Sequence, residues 1–230
     1  MPKKSRSESD AHLELKRLAV AWAAEHRLNL AAPEVRLPRS HYRADVAATT
    51  TKVLAANALS AVFECKAFRA DFLKDSVPEK GARQHIAKLS KRLVALRSLI
   101  GIHRPDLRRG EELFAEFDAY DLESVRHTTH DKLSADLRLA QRKLHQGTKF
   151  AKLGRWRAAS LLYIVAEPEI IKPHELPDGW GLLIRRDTRL ELVTKPCLNP
   201  TTVEERVGLL ERITTAATKG KWQPPVLRTP

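Results

Sequence analysis

The sequence predicts an α/β protein with a mixed central sheet flanked by helices, interrupted by an inserted helical hairpin. Three observations favour this class: an amphipathic segment near the N-terminus, short strand-like runs on both sides of a long polar middle region, and two narrow apolar seams within that region. At 230 residues the chain is long enough to bury one substantial core. We therefore expect one core domain that carries an insertion.

The N-terminal part predicts one helix followed by three strands. Apolar residues recur with helical spacing over 10–27, and a Ser-Asp pair stands where the helix would be capped. A short apolar and polar alternation around 35–37 indicates the first strand, and 42–48 and 61–67 indicate the second and third. The last of these is almost entirely apolar apart from two charged residues.

The middle region predicts two long helices. Within 84–100 and 133–144 the apolar residues alternate steps of three and four, and charged residues surround each seam. This pattern is typical of two helices that pair as a hairpin. The link between them includes 111–123, which has six acidic residues and no basic ones. It is either an ordinary packed loop or a segment that docks on the basic surface and competes with nucleic acid.

The C-terminal part predicts a buried strand, a hairpin and a final helix. The apolar run 158–166 is typical of a strand that is covered on both faces. A hairpin is expected from 180–184 and 190–193, and an amphipathic helix from 203–217.

These elements suggest a division of the chain. We expect a core made of 10–80 and 150–218, a helical hairpin insertion at 81–149, a disordered basic tail at 1–9 and a Pro-rich tail at 219–230.

A net charge of +13 and a pI near 10.0 favour a polyanionic partner. DNA is the leading expectation and RNA the alternative; a basic surface kept for solubility, or one that binds ribosomes or anionic lipid, is a further reading. No run of about eighteen apolar residues is present, which predicts no membrane helix. The absence of a signal peptide pattern and the presence of only two cysteines favour a cytoplasmic protein.

Three charged residues on the second and third predicted strands form the candidate site. Glu64 and Lys66 are two residues apart in a strand and therefore share one face, and Asp45 lies on the preceding strand. Two carboxylates and the Cys65 backbone carbonyl would suit Mg²⁺, with Mn²⁺ as an alternative, and Glu14 on the first helix would add a carboxylate through water. Alternatively, Glu64 and Lys66 form an ion pair on a solvated face and Asp45 caps a strand.

The same segments resemble a known family. The residues at 42–46 (YRADV), 63–72 (FECKAFRADF) and 175–183 (ELPDGWGLL) resemble the MmcB-like DNA-repair branch of the PD-(D/E)xK nuclease superfamily. The resemblance covers 10–75 and 158–195 and implies a restriction-endonuclease-like fold that acts in DNA metabolism.

The chemistry expected of such a site is hydrolysis of a phosphodiester bond. The metal would polarise a phosphoryl oxygen and lower the pKa of a bound water. Lys66 would orient or deprotonate that water, or stabilise the charge that develops on the phosphorus centre. A nuclease fold without turnover, which binds DNA or RNA, is the rival hypothesis. The insertion is also a candidate surface for a homodimer contact or for a protein partner.

Six basic residues are candidates for contact with nucleic-acid phosphates. They are Arg43, Arg69, Lys149, Lys152, Arg155 and Arg157. For Arg69 the alternative is a salt bridge with Asp71 or Asp75, and for the lysines it is a solvated helix face.

Overall fold

The chain divides into two compact units. The computed structural model describes residues 9–74, 80–109, 119–120, 127–156 and 158–219. The first unit comprises 1–77 with 145–230, and the second comprises 78–144. The second unit therefore begins and ends a few residues earlier than the predicted insertion.

His145 explains why the first unit resumes before the predicted boundary. Its buried ring lies beside Phe72 and Phe150, with centroid distances of 6.3 and 6.0 Å. Its Nε2 also contacts the Glu175 carbonyl oxygen at 2.8 Å. These contacts make His145 part of the core of the first unit.

Helix positions follow the apolar spacing and the capping residues. The Ser9 side chain accepts a hydrogen bond from the His12 amide, and Thr202 and Glu205 form a reciprocal capping box. The helices in the described residues are α1 (Asp10–Glu25), α2 (Arg69–Lys74), α3 (Lys80–His103), α4 (Thr128–Leu144), α5 (Lys149–Arg155) and α6 (Val203–Thr218).

The first unit is built on a six-stranded sheet in the order β1-β2-β3-β6-β7-β8. A separate two-stranded pair, β4-β5, lies in the second unit. The strands are β1 (Leu30–Arg36), β2 (Arg43–Thr49), β3 (Ser60–Lys66), β4 (Arg108–Arg109), β5 (Ala119–Tyr120), β6 (Leu161–Ala166), β7 (Gly181–Arg186) and β8 (Arg189–Thr194).

The large sheet is mixed. The pairs β3-β6 and β6-β7 are parallel, whereas β1-β2, β2-β3 and β7-β8 are antiparallel. Every residue of β3 is buried, as a central strand requires. The predicted α/β class, with a mixed sheet flanked by helices, is confirmed.

Helices cover both faces of this sheet. On one face, Trp22 of α1 lies against Phe63 and Tyr163, with ring centroids 6.0 and 5.2 Å away. On the other face, Val62 belongs to a core cluster with side chains from α5 and α6, among them Phe150 and Leu209. Because side chains alternate along a strand, Glu64 and Lys66 share the face of Val62.

The second unit contains a helix pair held by a leucine seam. Leu89 and Leu93 of α3 are buried with Leu133 of α4, and partly buried residues extend this cluster along both helices. Most of the acidic segment 111–123 lies outside the described residues, apart from the two residues of β5. No helix in the described part of the chain is both long and apolar enough to cross a bilayer.

Gly181 is required by a close approach between β7 and β6. It pairs with Tyr163, and a Cβ at this position would lie 2.7 Å from the Tyr163 ring and 2.9 Å from Pro196. The ring cannot move away easily, because it is stacked on Phe63 and also contacts Trp22. We expect Gly181→Ala to lower the free energy of unfolding by about 1–3 kcal/mol, measured by urea denaturation.

Gly208 provides the matched control. It lies within α6, and its nearest contact for an added Cβ is Pro38 at 3.8 Å. Gly208→Ala should therefore raise the free energy of unfolding by about 1 kcal/mol, because alanine favours a helix interior. Equal effects of the two substitutions would contradict the close approach at Gly181.

Candidate metal centre

The site forms where the ladder between β2 and β3 ends. The last paired residues are Val46 and Phe63, and beyond them the Cys65 amide donates to Asp45 Oδ2 at 2.7 Å. The Asp45 side chain thus accepts a hydrogen bond from a backbone amide at the end of the ladder. This contact holds the Asp45 carboxylate beside the segment that carries Glu64.

Glu64 is a buried carboxylate with one satisfied oxygen. The residue is 1% exposed, and its Oε2 accepts a hydrogen bond from Lys149 Nζ at 2.7 Å. Its Oε1 is buried and has no hydrogen-bond partner among the described residues. Such an orphaned anionic oxygen is costly and requires a physical explanation.

Burial and, to a lesser extent, the nearby charge of Asp45 raise the pKa of Glu64, which lies at about 7. The Lys149 and Lys66 ammonium groups act in the opposite direction but do not restore the ordinary value of 4.5. Glu64 therefore changes its protonation state close to neutral pH, and a second cation at Oε1 would favour the ionised form.

Asp45 has the opposite balance. Burial acts to raise its pKa, but the hydrogen bond and charge of His12, the Cys65 amide and the charge of Lys16 together lower the pKa below 3.8. His12 Nε2 lies 3.4 Å from Asp45 Oδ1, and Lys16 Nζ lies 4.0 Å from the same oxygen. Asp45 is thus an ionised carboxylate next to one that titrates near pH 7.

Lys16 and Arg43 are joined through Glu34. Lys16 Nζ also binds Glu34 Oε1, and Arg43 Nε lies 2.6 Å from Glu34 Oε2. Glu34 adopts a positive φ of 57° within β1, an uncommon conformation for this residue type. The ion pairs hold the start of β2 against α1 and β1.

Lys66 is oriented by the face that it shares with Glu64. It is 8% exposed, and its Nζ lies 5.6 Å from the centroid of the Phe150 ring on α5. A lysine placed over an aromatic face keeps its charge at lower cost than one in an aliphatic pocket. The ammonium is therefore held near Glu64 on the side covered by α5.

The prediction for Glu14 needs correction. Its carboxylate accepts a hydrogen bond from Arg17 at 2.8 Å, and the structure does not bring it to Asp45 or Glu64. The reason is helical phase: His12 and Lys16 are four residues apart and share a face, whereas Glu14 lies halfway between them and points elsewhere. The capped helix start and this spacing could have identified His12 and Lys16 in the sequence.

The prediction for Arg69 also needs correction. Its guanidinium forms an ion pair with the buried Glu175, at 2.6 Å between Nη1 and Oε2, and donates to the Ile170 carbonyl at 2.7 Å. Its observed acidic partner is thus Glu175, whereas Asp75, one of the two acids predicted as alternatives, lies outside the described residues. Arg69 instead fastens the start of α2 to the loop before β7.

Three of the other residues predicted to contact phosphates have partners within the protein. Lys149 contacts Glu64 and the Arg43 carbonyl, the latter at 2.9 Å, so it belongs to the acidic site rather than to a solvated face. The Arg43 side chain is 67% exposed and pairs with Glu34. Lys152 Nζ lies 5.9 Å from the centroid of Tyr42. Arg157 and the Arg155 side chain lie outside the described residues.

The donor set fits a hard divalent cation of modest coordination demand. Among the described residues, no group of three or more His, Cys, Asp and Glu side chains is arranged to hold a metal ion. Mg²⁺ needs fewer, since it keeps several waters and uses one or two carboxylates. Asp45 and the orphaned Glu64 oxygen provide that number; the Cys65 carbonyl remains a predicted ligand, whereas its amide has an observed partner.

Comparisons with known proteins leave the chemistry open. No family model matches this chain, and no curated protein matches it. Among solved structures, the chain is similar to a protein of unknown function from Silicibacter pomeroyi, with 16% identity, a TM-score of 0.46, and coverage of 91% of this chain and 88% of that chain.

The raised pKa of Glu64 predicts a pH-dependent stability. Between its unfolded value of 4.5 and its folded value of about 7, the unfolded chain releases this proton while the folded protein retains it. The stability of the wild type should therefore fall by about 3 kcal/mol across this window and then level off. Glu64→Gln, which is neutral and of similar shape, should lack this contribution.

The measurement is the difference in the free energy of unfolding between the wild type and Glu64→Gln at pH 5 and pH 8. Lys149→Met should extend the fall to higher pH, because Lys149 lowers the pKa of Glu64. A difference between wild type and Glu64→Gln that is the same at both pH values would rule out a buried, titrating Glu64.

Proposed function

We propose that this protein is a Mg²⁺-dependent DNase of the PD-(D/E)xK type, which hydrolyses phosphodiester bonds in DNA repair or processing. The observation that carries the proposal is the buried Glu64 oxygen without a partner among the described residues, on the strand beside the ionised Asp45. The two acids and Lys66 stand on the adjacent strands β2 and β3 at one end of their ladder.

A cation at this position would be held by Asp45, by Glu64 Oε1 and by the Cys65 carbonyl. When bound, Mg²⁺ or Mn²⁺ would polarise a phosphoryl oxygen and lower the pKa of a water. Lys149 supports this arrangement, because it binds Oε2 and thereby fixes the Glu64 carboxylate while Oε1 stays open to another ligand.

Lys66 would act on the nucleophilic water or on the phosphate. Its place on the face of Glu64 puts an ammonium group near that carboxylate, where it would orient a water or stabilise negative charge on the phosphoryl oxygens. The overall charge of +13 favours a polyanionic substrate, and the exposed Arg43 precedes Asp45 on the same strand.

A second candidate is a nuclease fold that binds DNA or RNA without turnover. It is favoured by the cations that already surround the two acids: Lys149 at Glu64, and His12 and Lys16 at Asp45. These groups offset part of the acidic charge without a metal. Calorimetric titration with Mg²⁺ and Mn²⁺ separates the two candidates, since a site that needs no metal would bind neither ion.

Cleavage assays provide the direct test. The wild type should cleave at least one of linear, nicked, single-stranded or branched DNA when Mg²⁺ is present and should not cleave when the metal is chelated. Asp45→Ala and Lys66→Ala should abolish cleavage and leave DNA affinity within about twofold, because each removes a reacting group and leaves the basic surface in place.

Glu14→Ala is the matched control. It removes a carboxylate on α1 that pairs with Arg17 and does not reach the site, so its cleavage should equal that of the wild type. Equal nicking by the wild type, Asp45→Ala and Lys66→Ala would assign any observed cleavage to a contaminant and refute the proposal.

Metal binding should also depend on pH. Because Glu64 has a pKa of about 7 and must be ionised to bind a cation, Mg²⁺ affinity should fall about tenfold between pH 8 and pH 6. Thermal unfolding at pH 8 should show stabilisation of about 2.7 kcal/mol when free Mg²⁺ is about a hundredfold above Kd. Glu64→Gln should show no such gain; an equal gain would place the metal elsewhere.

A further inference from the structure

A basic cleft lies between the β1-β2 loop and α6. It is an open cleft with a volume of about 380 Å³. Three of its six lining residues are arginines and none is acidic. The lining consists of Arg36, Leu37, Arg39, Ser40, His41 and Arg212, here named the arginine cleft.

The loop that forms one wall is fixed by its own hydrogen bonds. The Leu37 amide donates to the Tyr42 carbonyl at 3.0 Å, and the Tyr42 amide donates to Ser40 Oγ at 2.9 Å. Leu37 is buried, while Arg39 adopts a positive φ of 52° at the tip of the loop. The wall is therefore a closed turn with a buried anchor.

Helix α6 forms the other wall. Its Gly208 faces the loop, since an added Cβ would be in ordinary contact with Pro38 at 3.8 Å. Arg212 is four residues further along α6 and hence on the same face. Because Gly208 packs against Pro38, Arg212 lies beside the loop and lines the cleft with it.

The arginines of this cleft differ from others in the first unit. Arg43, Arg69 and Arg185 each form an ion pair with a glutamate. No described residue provides a carboxylate for the arginines of the cleft, all of which are exposed. Guanidinium groups gathered in one cavity without an acid repel each other and favour a bound anion, and their planar donors match phosphate oxygens.

We propose that the arginine cleft binds a backbone phosphate of nucleic acid and guides the strand to the Asp45 site. Arg36 pairs with Arg43 across the two strands, and Arg43 is two residues before Asp45, or about 7 Å along β2. Phosphates of one DNA strand follow each other at about 3.4 Å along the helix axis. A phosphate in the cleft therefore lies within a few nucleotides of the candidate metal centre. The inference rests on the proposed function in taking nucleic acid as the substrate.

The test measures DNA binding without turnover. Fluorescence anisotropy with a labelled 20-nucleotide DNA, single-stranded and duplex, is recorded in EDTA across a salt series for the full chain. Arg36→Ala, Arg39→Ala and Arg212→Ala should each weaken duplex binding about five- to tenfold, and the three substitutions together should reduce the salt slope by about 0.9, the value for one phosphate. The control is Arg189→Ala, an exposed arginine on β8 at the opposite edge of the sheet, which should weaken binding less than twofold.

Competition and cleavage assays complete the design. Cleft variants that bind DNA as tightly as Arg189→Ala overturn the inference. Variants that lose affinity for inorganic phosphate but keep that for DNA also overturn it, because the cleft would then serve a free phosphate. If the wild type shows no cleavage but the cleft variants bind DNA more weakly than the wild type does, the arginine cleft is supported and the nuclease proposal is refuted. If the wild type cleaves DNA and the cleft variants bind DNA as tightly as the wild type does, the nuclease proposal is supported and the arginine cleft is refuted.

Discussion

The buried Glu64 carboxylate on β3 is the constraint on which the rest of the site depends. An ionised group in the middle of a covered sheet loses its hydration, and the fold must offset that loss with fixed charges and donors. Lys149 approaches from α5 and the like charge of Asp45 from β2, and the result is an acid whose pKa lies near 7. Helix α5 and the adjacent ends of β2 and β3 are therefore coupled at the Glu64 side chain.

Two layers of helices meet at this end of the sheet. Helix α1 covers the face of Phe63 and sends His12 and Lys16 to Asp45, whereas α5 covers the opposite face and sends Lys149 to Glu64. The end of the β2-β3 ladder makes this convergence possible, because the strands no longer exchange backbone hydrogen bonds there. One acid is thereby kept ionised and the other titrates near neutral pH.

The elements of the first unit were largely predictable because their signals are local. The apolar run of β3 and the alternation around it place Glu64 and Lys66 on one face, and helical spacing locates α1 and α6. The partners of the charged residues were not predictable, since they depend on pairs distant in sequence. Arg69 meets Glu175, and Lys149 meets Glu64. Composition predicted a basic surface, but it could not show which basic side chains form ion pairs with acidic residues of the same protein.

The irregular edge strand β1 has a consequence for self-association. An edge strand exposes unpaired backbone groups and can recruit another chain into a continuous sheet. Pro33 lacks an amide donor, and the neighbouring Glu34 leaves the extended conformation with its φ of 57°. A second copy aligned along this margin would meet a missing donor and a kink instead of a regular template. These two features disfavour the pairing of another strand with β1, and with it amyloid-like stacking along this edge.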